Sequence, residues 1–539
     1  PDGSKLRRIA KGFWNPFGIC VRPDGEIFAA ENDPGSRPPC RLLHIVEGGD
    51  YGYQRLYGNA PFHPFVAWNG ELRGTLPMIS PTGEAPCGIA LLGGGLLVPS
   101  WADNRIDFFP LEQKGASYTA ERMEIVAGGE FFRPTCIKQV SPFTYYLTDW
   151  VYGSYELHGK GRIWKLEIDP VAASEWLHPA KPKALNQDAR FARQLRSGRA
   201  NLSTTKLFAI AASDDPFLAH AAIQSLSSHA RFWDAAAITR MPAAQRVTAA
   251  LALRRSQATV QSWPRLLLQD SNPAVVFEAL RWIADERMSG FEAEIEALMK
   301  RSDIRYRLFE AALAAWNAIT GNPSAGVADD KMLLQRIRDP DASPAIRAYS
   351  LRLLSRKGAG KLTEKYLLNL LRVNDPDLSR EAVRTLASRT NASAMKLLAR
   401  LAEDPKLDEN LRAEAIVGLA RDAPPHIARL VKLAESANQG IRHEALRALR
   451  FISLNKKQGQ RLLLVADRYK ASRPLIQFIL TPASLSQGRP ELTDAKAWSR
   501  RLAKRKGDPV AGRRIFFNPK LALCSTCHRH SGRGVVLGP

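Results

Sequence analysis

Five residues near the end of the chain, Cys524-Ser525-Thr526-Cys527-His528, carry the clearest chemistry in the sequence. Two thiols separated by two residues can each add to a vinyl group of one porphyrin, and the next residue can offer an axial nitrogen to its iron. On this reading Cys524 and Cys527 are the thioether anchors of covalently attached haem c, and His528 is the proximal iron ligand. A second reading gives Cys524, Cys527, His528 and His530 to a tetrahedral zinc. Adjacent ligands such as Cys527 and His528 are awkward on one metal, which favours haem. A redox dithiol expects a βαβ pattern around the motif, and none is read there.

Upstream of the motif, Asp508-Pro509 can begin a helix in which Val510, Ile515 and Phe516 share an apolar side. Gly532-Arg533-Gly534-Val535-Val536-Leu537-Gly538-Pro539 follows the motif. This order resembles the mono-haem cytochrome c family: a short helix with Gly and an aromatic, then C-x-x-C-H, then a Gly-rich loop ending Gly-Pro. The resemblance implies that Pro539 lies on the His528 side of the haem. The last Met is Met395 and eleven residues follow His528. A distal ligand is therefore expected from chain beyond this sequence, from the sterically poor His530, or from water.

The whole chain has 539 residues, 45% hydrophobic and 24% charged, which suits several soluble domains. No apolar run reaches the length of a membrane-spanning helix. The chain begins at Pro1 without a basic-then-apolar leader. Haem c is attached outside the cytoplasm, so a mature or partial form of an exported precursor is expected, in the periplasm or at the cell surface. Cys20, Cys40, Cys87 and Cys136 all fall in the first 140 residues, with three disulfide pairings or isolated thiols open to them. The net charge of +24 is uneven: residues 1–170 hold 17 Lys/Arg and 19 Asp/Glu, residues 171–490 hold 49 and 31, and residues 491–539 hold 11 and 3.

Residues 1–170 read as β structure. Val21-Arg22-Pro23-Asp24-Gly25-Glu26-Ile27-Phe28 is strand, turn, strand. Three similar units open at Pro16, Pro86 and Pro134, each with an apolar strand, an acidic or Trp-bearing loop, and a closing strand from Arg41, Arg105 or Arg162. Such units are β-propeller blades, and three of them form part of a ring. Trp14-Asn15-Pro16-Phe17-Gly18, Ala30-Glu31-Asn32-Asp33-Pro34-Gly35 and Gly48-Gly49-Asp50-Tyr51-Gly52-Tyr53 resemble the soluble quinoprotein sugar dehydrogenases. The resemblance implies pyrroloquinoline quinone (PQQ) and calcium beside Asn15, Glu31, Asn32 and Arg41. It leaves no catalytic residue to assign, because that family's catalytic His lies in earlier blades.

From Asp169-Pro170 the composition turns to Ala, Leu and Arg at helical spacing. Ala221, Ala249, Glu278, Glu310, Tyr349, Glu381, Glu414 and Glu444 begin like segments 28 to 39 residues apart. Asp215-Pro216, Asn272-Pro273, Asp339-Pro340, Asp375-Pro376 and Asp404-Pro405 are expected to cap and start helices. The pattern resembles the HEAT-like α-solenoids, which offer a curved surface or a rigid spacer. Arg281, Arg352, Arg384 and Arg447 recur, and a solvated face in which they pair with Glu is expected rather than a nucleic-acid surface.

The expected architecture is therefore a partial β-propeller (1–170), a HEAT-like α-solenoid (171–490) and the start of a cytochrome c-like haem domain (491–539). The order resembles the large multidomain haem-binding proteins of planctomycetes and verrucomicrobia labelled membrane-bound dehydrogenases. That resemblance implies electron transfer to a redox partner or acceptor, with a sugar or alcohol as the propeller's substrate. The contrasting expectation is a binding or scaffold protein for a polysaccharide or protein, with a non-catalytic propeller. A zinc-bearing nucleic-acid protein is a third.

Overall fold

The computed structural model describes the chain except for residues 1–3, 5, 36, 59–62, 180, 257–261, 322–329, 482–489, 492–493, 504–505, 531 and 535–539. The chain combines a sheet part with a large helical part. It divides into two compact units, residues 1–299 with 305–327, and residues 300–304 with 328–538. Secondary structure changes from strand to helix between Glu167 and Pro170. The compact division falls later, so the first repeat helices share a unit with the sheets.

In the first unit, each of the three sequence units forms one antiparallel sheet. The first holds β1 (Asn15–Val21), β2 (Ile27–Asn32), β3 (Arg41–Ile45) and β4 (Ser80–Pro81) in that order. The second runs β5 (Ala90–Leu92), β6 (Gly95–Ser100), β7 (Arg105–Pro110), with β10 (Met123–Ala127) outside β7. A short hairpin, β8 (Glu112–Lys114) and β9 (Ser117–Thr119), lies between β7 and β10 in the chain. The third sheet holds β11 (Pro134–Ser141), β12 (Thr144–Asp149) and β13 (Arg162–Glu167).

The β1–β2 turn follows from its residues. Asp24 Oδ1 accepts from the Glu26 amide at 3.2 Å, and Gly25 takes φ +86°. Strand β6 is buried along its whole length because sheets cover both of its faces. Leu96 and Val98 pack against Phe28, Ala30 and Leu42 of the first sheet, while Leu97 faces Ile137, Tyr145 and Leu147 of the third. The other side of the first sheet, through Leu43, packs on the helices carrying Leu207, Phe217 and Ala221. The acidic loop expected at Glu31-Asn32 is instead the end of β2, paired with β1 and β3.

Every recurring Ala/Glu segment lies on a helix. In the first unit these are Pro216–His229, Ala243–Arg255, Pro273–Asp285 and Tyr306–Ile319, each touching the next. In the second unit they are Pro344–Leu353, Pro376–Ala387, Glu409–Leu419 and Gln439–Ala448, again in contact in order. Small residues set the spacing: a Cβ added at Gly418 would sit 2.8 Å from Ala387 Cβ. Asp215, Asn272 and Asp375 cap helices that Pro begins, as expected. Asp339 and Asp404 do not; Ser343 and Asp408, four residues later, accept the amide hydrogens at those helix starts.

The recurring arginines do pair with carboxylates, but the face they form is not solvated. Arg352 and Arg384 reach Glu381 at 3.2 and 3.1 Å, and Arg447 reaches Glu444 at 2.5 Å. Arg384 also bridges to Glu414 at 2.5 Å, and in the first unit Arg281 reaches Glu278 at 3.5 Å. All four glutamates are buried, so the pairs form an internal ladder.

Candidate functional site

The C-x-x-C-H run lies in the second unit and is set between two short elements. Asp508 Oδ1 accepts from the amides of Val510 and Ala511 at 2.9 and 3.1 Å and starts the helix Pro509–Phe517. Asn518 ends it and accepts from the Lys520 and Leu521 amides. Leu523, at φ +54°, then turns the chain into a 3-10 turn over Cys524–Thr526. The Cys527 and His528 amides both donate to Cys524 O, at 3.2 and 2.7 Å. One carbonyl thus gathers both thiol positions and the imidazole position onto a single turn. Arg529–His530 pairs with Arg533–Gly534 in a small hairpin just beyond. Gly534 is required there: its φ is +103°, and a Cβ would meet His528 O at 2.2 Å.

Cys524 is half-buried, Cys527 is exposed, and both are free thiols. Ile515 faces a hollow of about 260 Å³ with Leu446, Leu475, Phe478 and Leu521. Val510 is exposed and does not share that side. No three of Cys524, Cys527, His528 and His530 bring donor atoms within 4.8 Å of one another, so the tetrahedral zinc arrangement is not assembled. Pro539 and the Gly-Pro end lie outside the described residues.

Two arginines, one on each side of the motif, fix it to the helical ladder. Arg514 Nε donates to Glu444 Oε1 at 2.8 Å. Arg533 Nε donates to Glu381 Oε2 at 2.5 Å, and its Nη2 donates to Glu381 O and Thr385 Oγ1. Burial alone would push the Glu381 carboxyl up; Arg533, Arg352 and Arg384 instead hold it down to about 2. Arg513, between them, is pushed down to about 10 by burial and by Arg384. Its Nε and Nη2 make no hydrogen bond among the described residues, though Nη2 stands 3.9 Å from Glu381 Oε1. Sequence reasoning missed this docking. Its only trace was a Glu recurring at one helical position.

Of the residues expected beside a quinone and calcium, Glu31 and Arg41 are wholly buried and bound to each other. Glu31 accepts from Arg41 Nε at 2.9 Å and from the Trp14 and Asn15 amides. Arg41 donates to the carbonyls of Tyr51, Trp68 and Gly12 and lies 3.5 Å from the Trp68 ring centroid. Together they clasp β2, β3 and the 48–68 loops. Asn15 and Asn32 are half-buried at the strand ends, and Asn32 Oδ1 accepts from the Cys40 thiol at 3.2 Å. Cys40, Asp33 and Glu84 bring their donor atoms within 4.8 Å of one another. Burial raises the Cys40 thiol to about 12, and Glu84 and Asp33 add to the rise, so it keeps its proton and serves as a hydrogen-bond donor. Cys20, Cys40, Cys87 and Cys136 are all free thiols.

No family model and no curated protein matches the chain. Solved structures do. One is the PQQ-bound form of an aldose sugar dehydrogenase from Streptomyces coelicolor, 21% identical over 31% of this chain and 48% of that one, with a TM-score of 0.25. Another is a putative oxidoreductase (glucose dehydrogenase) from Thermus thermophilus, 22% identical over 31% of this chain and 50% of that one, also with a TM-score of 0.25. The chain thus spans about half the length of each.

Proposed function

We propose that this chain is an exported electron-transfer protein carrying haem c on Cys524 and Cys527, with His528 as the iron ligand on one face. The observation that carries the reading is two unpaired thiols and the adjoining imidazole position gathered on one turn by the Cys524 carbonyl. Bound haem supplies one-electron exchange. The chain's part is to anchor, orient and balance charge. Cys524 and Cys527 would hold the haem as thioethers, each by addition of its S–H across one vinyl group. Arg514 and Arg533 hold the turn on the ladder, and Arg513 offers unused donors to carboxylates of the propionate class.

Such attachment belongs outside the cytoplasm, so the periplasm or cell surface is the proposed location. Among the described residues, no helix is long and apolar enough to cross a membrane. The three sheets packed in order are taken as propeller blades and the stacked repeat helices as a HEAT-like solenoid. The propeller, with PQQ and calcium, would oxidise a sugar or alcohol and pass electrons to the haem. The engagement of Glu31 and Arg41 with each other favours a second reading, a scaffold whose propeller is non-catalytic.

The test is expression behind an export leader with haem maturation enzymes, followed by a pyridine haemochrome spectrum. The intact chain should show two thioether bonds and Cys527→Ser one or none. An absence of porphyrin, or the same two-thioether spectrum in Cys527→Ser, removes the assignment. Dye reduction by sugars after adding PQQ and calcium separates dehydrogenase from scaffold.

A further inference from the structure

A second site lies in the first unit, independent of the haem reading. A cavity of about 710 Å³ opens where the loops at residues 8–11, 48–50 and 73–74 meet the helices Ala243–Arg255 and Pro273–Asp285. Lys11, Arg254, Arg255 and Arg281 stand in its wall, and Arg8, Arg73 and Arg287 are exposed around it. Among the described residues, the carboxylates lining it are Asp50 and Glu286.

Asp50, Glu278, Asp285 and Glu286 stand among the inner cations, and Arg255 is the cation that pairs with none of them among the described residues. Lys11 Nζ and Arg281 Nη2 share Asp50 Oδ2 at 3.6 and 3.8 Å. Arg254 is bound to Asp285 at 2.7 Å, behind the wall. Arg255 donates from Nη1 to Gly48 O at 2.7 Å and Gln224 Oε1 at 3.1 Å, both neutral acceptors, and forms no ion pair among the described residues. Arg281 is 2% exposed; its Nη1 donates to Arg73 O at 3.0 Å and stands 3.5 Å from Glu278 Oε2, while its Nε makes no hydrogen bond among the described residues and stands 3.8 Å from Asp285 Oδ2. Burial pushes Arg255 down to about 10, with Arg254 and Arg281 adding to the fall and Asp50 opposing it. A half-buried guanidinium without a carboxylate partner can take an anionic one, and planar N–H forks match oxyanions in geometry as well as charge.

We propose that this cavity binds a phosphate-class oxyanion, with Arg255 and Arg281 contacting it and Arg8 and Arg287 attracting it from the rim. The room is that of a small-molecule site, enough for a phosphorylated sugar as well as a free ion. The source of the phosphate group is left to the test.

Calorimetric titration of the full chain at constant ionic strength would use inorganic phosphate, glucose 6-phosphate and glucose. Heat of binding is expected with at least one phosphate probe and none with glucose. Equal affinity for the two phosphates assigns the free ion, and tighter glucose 6-phosphate binding assigns an ester. Arg255→Gln should weaken binding about tenfold or more, and the rim pair Arg8→Gln/Arg287→Gln about threefold. The rim pair, being exposed, decides the matter if Arg255→Gln does not fold. No heat with either phosphate at millimolar concentration, glucose binding as well as its phosphate, or unchanged affinity in every folded variant overturns the proposal.

Discussion

Arg533 Nε lies 2.5 Å from Glu381 Oε2, joining the hairpin after the C-x-x-C-H turn to the middle of a repeat helix 152 residues earlier. Glu381 is 1% exposed and already receives Arg352 and Arg384. The contact therefore adds a third cation to a buried carboxylate, and it decides where the turn is held.

Replacing Arg533 with Met should release the hairpin while leaving Glu381 paired with Arg352 and Arg384. The expected cost is about 1.5–3 kcal/mol, that of hydrogen bonds to a charged group. Limited tryptic proteolysis should cut after Arg529 faster than in the parent chain. An unaltered cleavage pattern and unfolding midpoint would show that the contact does not fix the tail.

Acid should act through the same carboxylate. Its folded value near 2 lies below the ordinary 4.5, so its contribution is complete above about 4.5 and is lost as pH falls toward 2. A shift of this size amounts to at most about 3 kcal/mol. Urea midpoints measured from pH 7 to pH 3 should fall in the parent chain and fall less in Glu381→Gln. Parallel curves would assign the acid sensitivity to other groups.

Gly534→Ala should disturb the motif specifically. The added methyl meets His528 O, and φ +103° is strained for any L side chain, at about 1–3 kcal/mol. With haem maturation, the yield of attached haem should drop while the far-UV circular dichroism stays that of the parent. Full haem yield would mean that the hairpin opens at little cost.

Arg41→Met tests the clasp in the first unit. It leaves Glu31 buried without its partner, at about 3–5 kcal/mol. Hydrogen exchange should quicken in β2 and β3 and stay unchanged in the helices of residues 376–448. Slow exchange in β2 and β3 would show that the backbone amides of Trp14 and Asn15 suffice to hold Glu31.

Much of the scaffold was legible because its signals are local. Pro23-Asp24-Gly25 marks a turn, and Glu381, Glu414 and Glu444 mark successive helices. Helix starts were read less well at Asp339 and Asp404, where Asp-Pro precedes the capping Ser343 and Asp408 by four residues. Two capping candidates within one turn of each other look alike in sequence; only the backbone path selects one. That Cys524, Cys527 and His528 share one turn could be read from their spacing. The docking by Arg514 and Arg533, and the burial of Glu31 with Arg41, depend on partners far apart in the chain or on packing around them. Spacing by itself pairs neither.

The ladder also bears on how repeats can be lost or gained. Arg352 reaches forward to Glu381, and Arg384 reaches forward to Glu414. Excising the helix that carries Glu381 would strand one guanidinium upstream and leave one acid downstream short of a neighbour. The two left over, Arg352 and Glu414, are opposite in charge, so a deletion that kept the helices in register would let one take the other.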